Sequence, residues 1–132
     1  MKRRELALLY LQKAAEDEAL VDEVLDSPRV NDSAIGFHCQ QAAEKILKGL
    51  LAFLGQRFRK THDLRELIDL LTDQGYPLPP SLVDIDQLTP YAVEFRYELL
   101  PLEDSSTLDR REVRQRLKEL RFWVQTQILH DS

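Results

Sequence analysis

The chain has 132 residues, a net charge of -5, and 43% apolar and 31% charged side chains, which fits one domain over residues 1–132 able to bury roughly two-thirds of the surface its unfolded form exposes. The acidic balance argues against a protein coated in nucleic-acid-binding charge while leaving room for a local basic patch, and no run approaches the ~20 apolar residues of a membrane span. A single cysteine, Cys39, excludes an intrachain disulfide framework, and the charge-studded start Met1-Lys2-Arg3-Arg4-Glu5 is unlike a signal-peptide core, so a reducing, cytoplasmic setting is expected.

Few glycines and long Leu/Ala/Glu/Lys/Arg-rich stretches without strand-like alternation predict an all-α chain. The first helix is expected from about Arg3 to Leu25, with Ala7, Tyr10, Leu11, Ala14, Val21, Val24 and Leu25 in one inward stripe, ended by Ser27-Pro28. Asn31 or Asp32 can cap a second helix that runs to Leu54 and stops at Gly55. Its wide apolar face, from Ile35 and Cys39 through Ala42, Ala43, Ile46, Leu47, Leu50 and Leu51 to Leu54, makes it the central helix.

A short third helix is predicted over His62–Asp73 with Thr61 as cap and Leu64, Leu67, Ile68 and Leu71 inward, followed by a proline-rich corner at Gly75-Tyr76-Pro77 and Pro79-Pro80. The fourth region reads as a helical piece over Ser81–Leu88 and a restart at Thr89-Pro90 that carries Ala92, Phe95 and Leu99 inward, with a kink at Pro90. Ser106 or Thr107 opens the last helix, where Val113, Leu117, Leu120, Val124 and Ile128 repeat at helical spacing. Short connections then favour an up-and-down four-helix bundle with an additional short helix.

Polar residues gather in three places. On the second helix, His38, Gln41, Lys45 and Lys48 share a face opposite the core, flanked by Gln40 and Glu44, and the Glu44–Lys48 spacing reads as a solvated surface pair. In Gln56-Arg57-Phe58-Arg59-Lys60-Thr61-His62-Asp63-Leu64 the cations stand just before a helix N-terminus, an arrangement that suits an anion and equally suits a solvated loop with a Thr61 cap. Tyr91-Ala-Val-Glu94-Phe-Arg96-Tyr97 pairs an arginine with aromatics, which can hold a phosphate and stack on a base, or Arg96 can fix helix packing through Glu44 or Glu94. Arg110, Arg114, Lys118 and Arg121 form a basic line on the last helix, with Arg111 and Arg116 nearby, but Glu112 and Glu119 dilute it toward an ordinary charged surface. His38, His62 and His130 lack zinc-site spacing, and no metal or cofactor is expected.

The run Phe37-His38-Cys39-Gln40-Gln41-Ala42-Ala43-Glu44-Lys45-Ile46-Leu47-Lys48-Gly49-Leu50-Leu51, followed by Lys60-Thr61-His62-Asp63-Leu64 and then Tyr91-Ala-Val-Glu-Phe-Arg96-Tyr97, resembles the HEPN family (higher eukaryotes and prokaryotes nucleotide-binding). The resemblance implies a helical bundle, usually a homodimer, often encoded beside a minimal nucleotidyltransferase and able to bind nucleotides or RNA. The leading expectation is a binding module in which Gln41, Lys45, Lys48, Lys60, His62, Tyr91 and Arg96 bind the nucleotide, their cations converging in one electropositive hollow when the bundle closes. Many relatives of this kind are metal-independent ribonucleases, often toxins of toxin–antitoxin pairs, that use an arginine followed by four to six residues and a histidine near the start of a late helix. Arg96 has no histidine at that distance, whereas Arg57 and His62 have the spacing in a different place; a ribonuclease using His62 with Arg57 or Arg96 is therefore the alternative to a binding module. A protein–protein scaffold is the third reading, with the second helix and Trp123 supplying the surface unless Trp123 belongs to the core.

Overall fold

A computed structural model describes residues 2–92 and 108–130. Its elements are α1 (Lys2–Val24), α2 (Asp32–Phe53), α3 (Leu64–Asp73), a 3₁₀ segment (Pro80–Ala92) and α4 (Arg110–His130), and the described residues are all-helical in their regular structure. α1 and α2 run antiparallel: Arg3 lies at Gly55, and Val21 and Val24 lie beside Ala34 and Ile35. α4 is antiparallel to α1 as well, because Arg4 reaches Ile128 at one end and Arg110 reaches Leu25 at the other. α2 packs against every other element. Ile35, Ile46, Leu47, Leu50 and Leu51 are fully buried on it, so the broad apolar face read from the sequence is the centre of the core. No described helix is long and apolar enough to cross a membrane.

Local chemistry explains the boundaries. Asn31 caps α2, its side chain accepting from Ala34 N–H at 2.9 Å. At the other end Gly55 takes φ +73°, and Gln56 N–H reaches back to Leu51 C=O at 2.9 Å while Gly55 N–H meets Ala52 C=O at 3.0 Å. That pair of reversed bonds satisfies the last carbonyls of the helix and requires a residue comfortable at positive φ.

α3 starts later than expected. Asp63, not Thr61, is its cap, with a carboxylate oxygen accepting from Arg65 N–H at 3.0 Å; the Thr61 hydroxyl instead accepts from Asp63 N–H. The described part of the fourth region also differs: Pro80–Ala92 is not an α-helical piece with a break at Pro90, but one continuous run of 3₁₀ turns that includes it. A proline inside an α-helix clashes with the carbonyl four residues back, and side chains three apart eclipse in a 3₁₀ helix. Leu82, Ile85 and Leu88 are spaced by three and all buried, so the narrower helix aligns them on one side where an α-helix would fan them apart. Phe95 and Leu99, expected to face inward, and the Ser106 and Thr107 caps lie outside the described residues. Asp109 caps α4, accepting from Glu112 N–H at 3.1 Å. Trp123 is half-buried and packs against the core cluster.

The basic line on α4 is largely neutralised by α1. Arg114 contacts Asp22 at 2.6 Å and Glu18 at 3.6 Å, Arg121 is bound to Glu18 and to Leu11 C=O, and Arg111 meets Asp26. Arg116 pairs with Asp84 and Glu112. Among the described residues Lys118 alone of this line makes no ion pair, so the line is a helix–helix seam and not a track for a polyanion.

Candidate functional site

The polar face of α2 is half-buried at His38, Gln41 and Lys45, and its Glu44–Lys48 part is covered, not open to solvent as expected. Glu44 is 5% exposed and Lys48 9%. Two elements close over them: α1 on one side, and the loop 54–63 on the other, folded back along the last turns of α2. Phe58 of that loop lies 5.6 Å from Lys48 Nζ and edge-on to Tyr10 of α1. The Glu44–Lys48 pair is therefore a buried contact, which i,i+4 spacing cannot reveal because it specifies a shared face and not what packs on it.

Glu44 is the hub of this cluster. Its carboxylate accepts from Lys48 Nζ at 2.7 Å, His62 Nδ1 at 2.8 Å and Gln40 Nε2 at 3.0 Å. Burial pushes its pKa up, but the hydrogen bonds from Lys48, His62 and Gln40 together outweigh burial and hold it below the ordinary carboxylate value. An ionised carboxylate only accepts, so Nδ1 of His62 carries a proton and donates it to Glu44, which turns Nε2 away from the carboxylate. The His62 side chain is 54% exposed, and Nε2 has no partner among the described residues. Gln40, fully buried, also donates to His62 C=O at 3.0 Å and accepts from Gln41, which ties the loop to α2 at both the backbone and the side chain of His62.

A second carboxylate, Asp17 of α1, holds Lys45 Nζ at 2.7 Å and His38 Nδ1 at 2.9 Å. Lys45 and Lys48 thus each face a private counter-ion. Arg59 is likewise bound in a two-pronged contact to Glu66, which raises its pKa through the Glu66 hydrogen bonds. Arg57 and Lys60 are exposed, and among the described residues their charged groups have no partner.

Tyr91 stands elsewhere. Its ring presses on Gly36, where a Cβ would overlap it, about 18 Å along α2 from Lys48 at ~1.5 Å per residue. Burial and the nearby charge of Asp32 raise its pKa. It borders a cleft of about 380 Å³ whose charged lining among the described residues is Asp84, Asp109, Glu112 and Arg116. Arg96 lies outside the described residues. Of the residues expected to bind nucleotide, Gln41, Lys48, Lys60 and His62 gather around Glu44 and its covering loop, Lys45 sits at the neighbouring Asp17 centre, and Tyr91 is apart.

A family model, HEPN domain, matches residues 7–126. The chain belongs to the HEPN domain family. No curated protein and no solved structure matches it significantly. The match spans every element described above, from the first turns of α1 to the last turns of α4. Within this HEPN domain, Glu44 and Asp17 are the residues that sequence reasoning undervalued. Their signal is present but weak: each has a lysine and a histidine as partners, yet three of those four partners lie 18 to 28 positions away in the chain. Cys39 is fully buried, and burial pushes its thiol up to about 12, so it is a packing residue rather than a nucleophile.

Proposed function

We propose that this HEPN domain is a nucleotide- or RNA-binding module whose phosphate contacts come from Arg57 and Lys60 in the loop 54–63, beside His62. The observation that carries this reading is the contrast between cations: Lys45 and Lys48 are held by Asp17 and Glu44, whereas Arg57 and Lys60 are exposed and unpaired among the described residues. An unpaired cation gains a full charge-assisted hydrogen bond from phosphate, while a paired one must first give up a carboxylate. Leu8, Phe122 and Leu129 are exposed beside Arg4, Arg121 and Ile128, through which α1 and α4 meet, and they supply an apolar surface for a homodimer or for a minimal nucleotidyltransferase partner.

Titration of the purified protein with ATP and with a short single-stranded RNA tests the site. The double substitution Arg57→Ala, Lys60→Ala is expected to weaken binding by about tenfold or more, as loss of charge-assisted contacts implies. Absence of binding below millimolar concentration, or equal affinity in the double variant, defeats the proposal.

One observation favours a second reading, a metal-independent ribonuclease. A buried, ionised Glu44 that fixes the His62 tautomer and leaves Nε2 facing solvent is the arrangement of an oriented general base. In that reading Nε2 takes the proton of a ribose 2′-hydroxyl, the 2′-oxygen attacks the adjacent phosphorus, the bond to the 5′-oxygen breaks and that oxygen takes a proton from solvent. Arg57 would stabilise the charge on the phosphorane. RNA incubated with protein in EDTA should then be cleaved, with His62→Ala lowering the rate by about 10²–10⁴. No cleavage, or the same cleavage in His62→Ala, removes this reading.

A further inference from the structure

The antiparallel pairing of α1 and α2 brings a second group of cations to the phosphate-contact loop. Lys2, Arg3 and Arg4 open α1, and the Arg3 guanidinium lies directly over the backbone of Gly55, where a Cβ would overlap it. Arg4 is engaged: it donates to Ile128 C=O at 3.5 Å and stands 5.8 Å from the Phe53 ring centre. Arg3 is exposed and has no ion pair or hydrogen bond among the described residues. From Gly55 the chain passes Arg57 and Lys60 and reaches His62, whose ring meets Glu44, a residue 11 positions before Gly55 and so about 16 Å back along α2 at ~1.5 Å per residue. Unpaired cations therefore occur at one end of this path, at Arg3, and within it, at Arg57 and Lys60, with His62 at the other end.

The carboxylates along the path are already engaged. Glu44 holds Lys48 and His62, Glu66 holds Arg59, and Asp63 caps α3. Glu5 is the exposed exception on α1. Electropositive character over such a length, on a chain whose net charge is -5, is a local feature built by tertiary contact. The phosphates of a mononucleotide are clustered and cannot meet both ends of the path at once, whereas the backbone of a single strand presents charge at regular intervals.

We infer that Arg3 and the loop cations Arg57 and Lys60 form one track for the phosphodiester backbone of a single-stranded polynucleotide, running over the α2 terminus at Gly55 toward His62. This rests on the phosphate site proposed above and extends it in two ways: it adds a residue from the other end of the chain, and it specifies a strand rather than a free nucleotide. A competing duty for Arg3 is to complement the negative end of the α2 dipole, which would appear in stability and not in binding.

The test measures ATP, an octamer of uridylate and an octamer of thymidylate against the full chain and Arg3→Gln, each over a range of salt. The octamers are expected to bind more tightly than ATP. Arg3→Gln is expected to weaken the octamers about fivefold and to lower the slope of log affinity against log salt by ~0.7, the loss of one phosphate contact, while ATP affinity and thermal stability stay unchanged. Equal response of both octamers supports recognition of the phosphodiester itself, and response of the uridylate octamer alone supports an RNA track. Octamers that bind no better than ATP, or an Arg3→Gln variant with unaltered octamer affinity and slope, overturn the track while leaving the loop site standing. Failure of ATP and octamers alike to bind the unsubstituted chain overturns both.

Discussion

Glu44→Ala should lower stability by about 3 kcal/mol, a fall of about 10 °C in Tm for a domain of this size, read by thermal or urea unfolding. The reason is asymmetry. Removing the carboxylate leaves the Lys48 ammonium buried without a counter-ion, and it frees Gln40 and His62, which tie the loop 54–63 to α2. The double change Glu44→Leu, Lys48→Met should recover most of the loss, since apolar residues of similar volume replace a buried ion pair at little net cost. A loss under about 1 kcal/mol in Glu44→Ala would mean that solvent reaches Lys48 freely and that the cluster is a surface feature after all.

The same carboxylate sets an acid limit. Its native pKa lies below the ordinary value, so it is ionised in the folded chain at pH values where the unfolded chain has begun to bind a proton. Its contribution is complete above the unfolded pKa and is lost as pH falls through the lowered native one. Glu44→Gln should be less stable near neutrality and should show a flatter loss between pH 5 and pH 3 than the parent, a window of about two pH units around the ordinary carboxylate range.

Arg110→Ala is expected to have a comparable effect, about 3 kcal/mol, at the opposite end of the bundle. Its guanidinium donates to Asp32 at 2.8 Å, to Leu25 C=O at 3.1 Å, to Ser27 C=O at 3.0 Å and to Val30 C=O, so one side chain of α4 satisfies the carbonyls of the α1–α2 turn. Asp32 accepts in addition from Leu108 N–H, which joins the start of α2 to the approach to α4. Arg110→Lys should rescue little, because a single ammonium cannot reach acceptors spread in the directions that the planar fork spans. Urea unfolding of the three proteins decides it: a lysine variant as stable as the parent would show that charge alone, without the fork, holds the turn.

Both residues were placed in polar patterns by sequence and valued differently by structure. Arg110 reads as the first member of a basic line; in the folded chain it is a clamp on backbone carbonyls. Glu44 reads as half of a surface pair; in the folded chain it is buried and three donors converge on it. Neither pattern is misread as a helix position. What changes is the neighbour, and the neighbours of Arg110 lie about 80 positions away in the chain.

Periodicity determined the helices. Apolar residues three and four apart locate α1, α2, α3 and α4 to within a few residues, because a helix face is a property of local spacing and its burial is the same whichever partner covers it. The quoted motifs carried the HEPN family for a similar reason, since they record local sequence directly. Three features depended on the closed chain: the 3₁₀ path through Pro90, the division of cations into paired and unpaired, and the meeting of Arg3 with Gly55. The first combines a local constraint, Pro90, with the burial of Leu82, Ile85 and Leu88 on one side of the segment, which exists only once other elements pack against it. The others are electrostatic, and a Coulomb energy depends on distance and on the water excluded between charges, neither of which exists until segments remote in sequence have packed together.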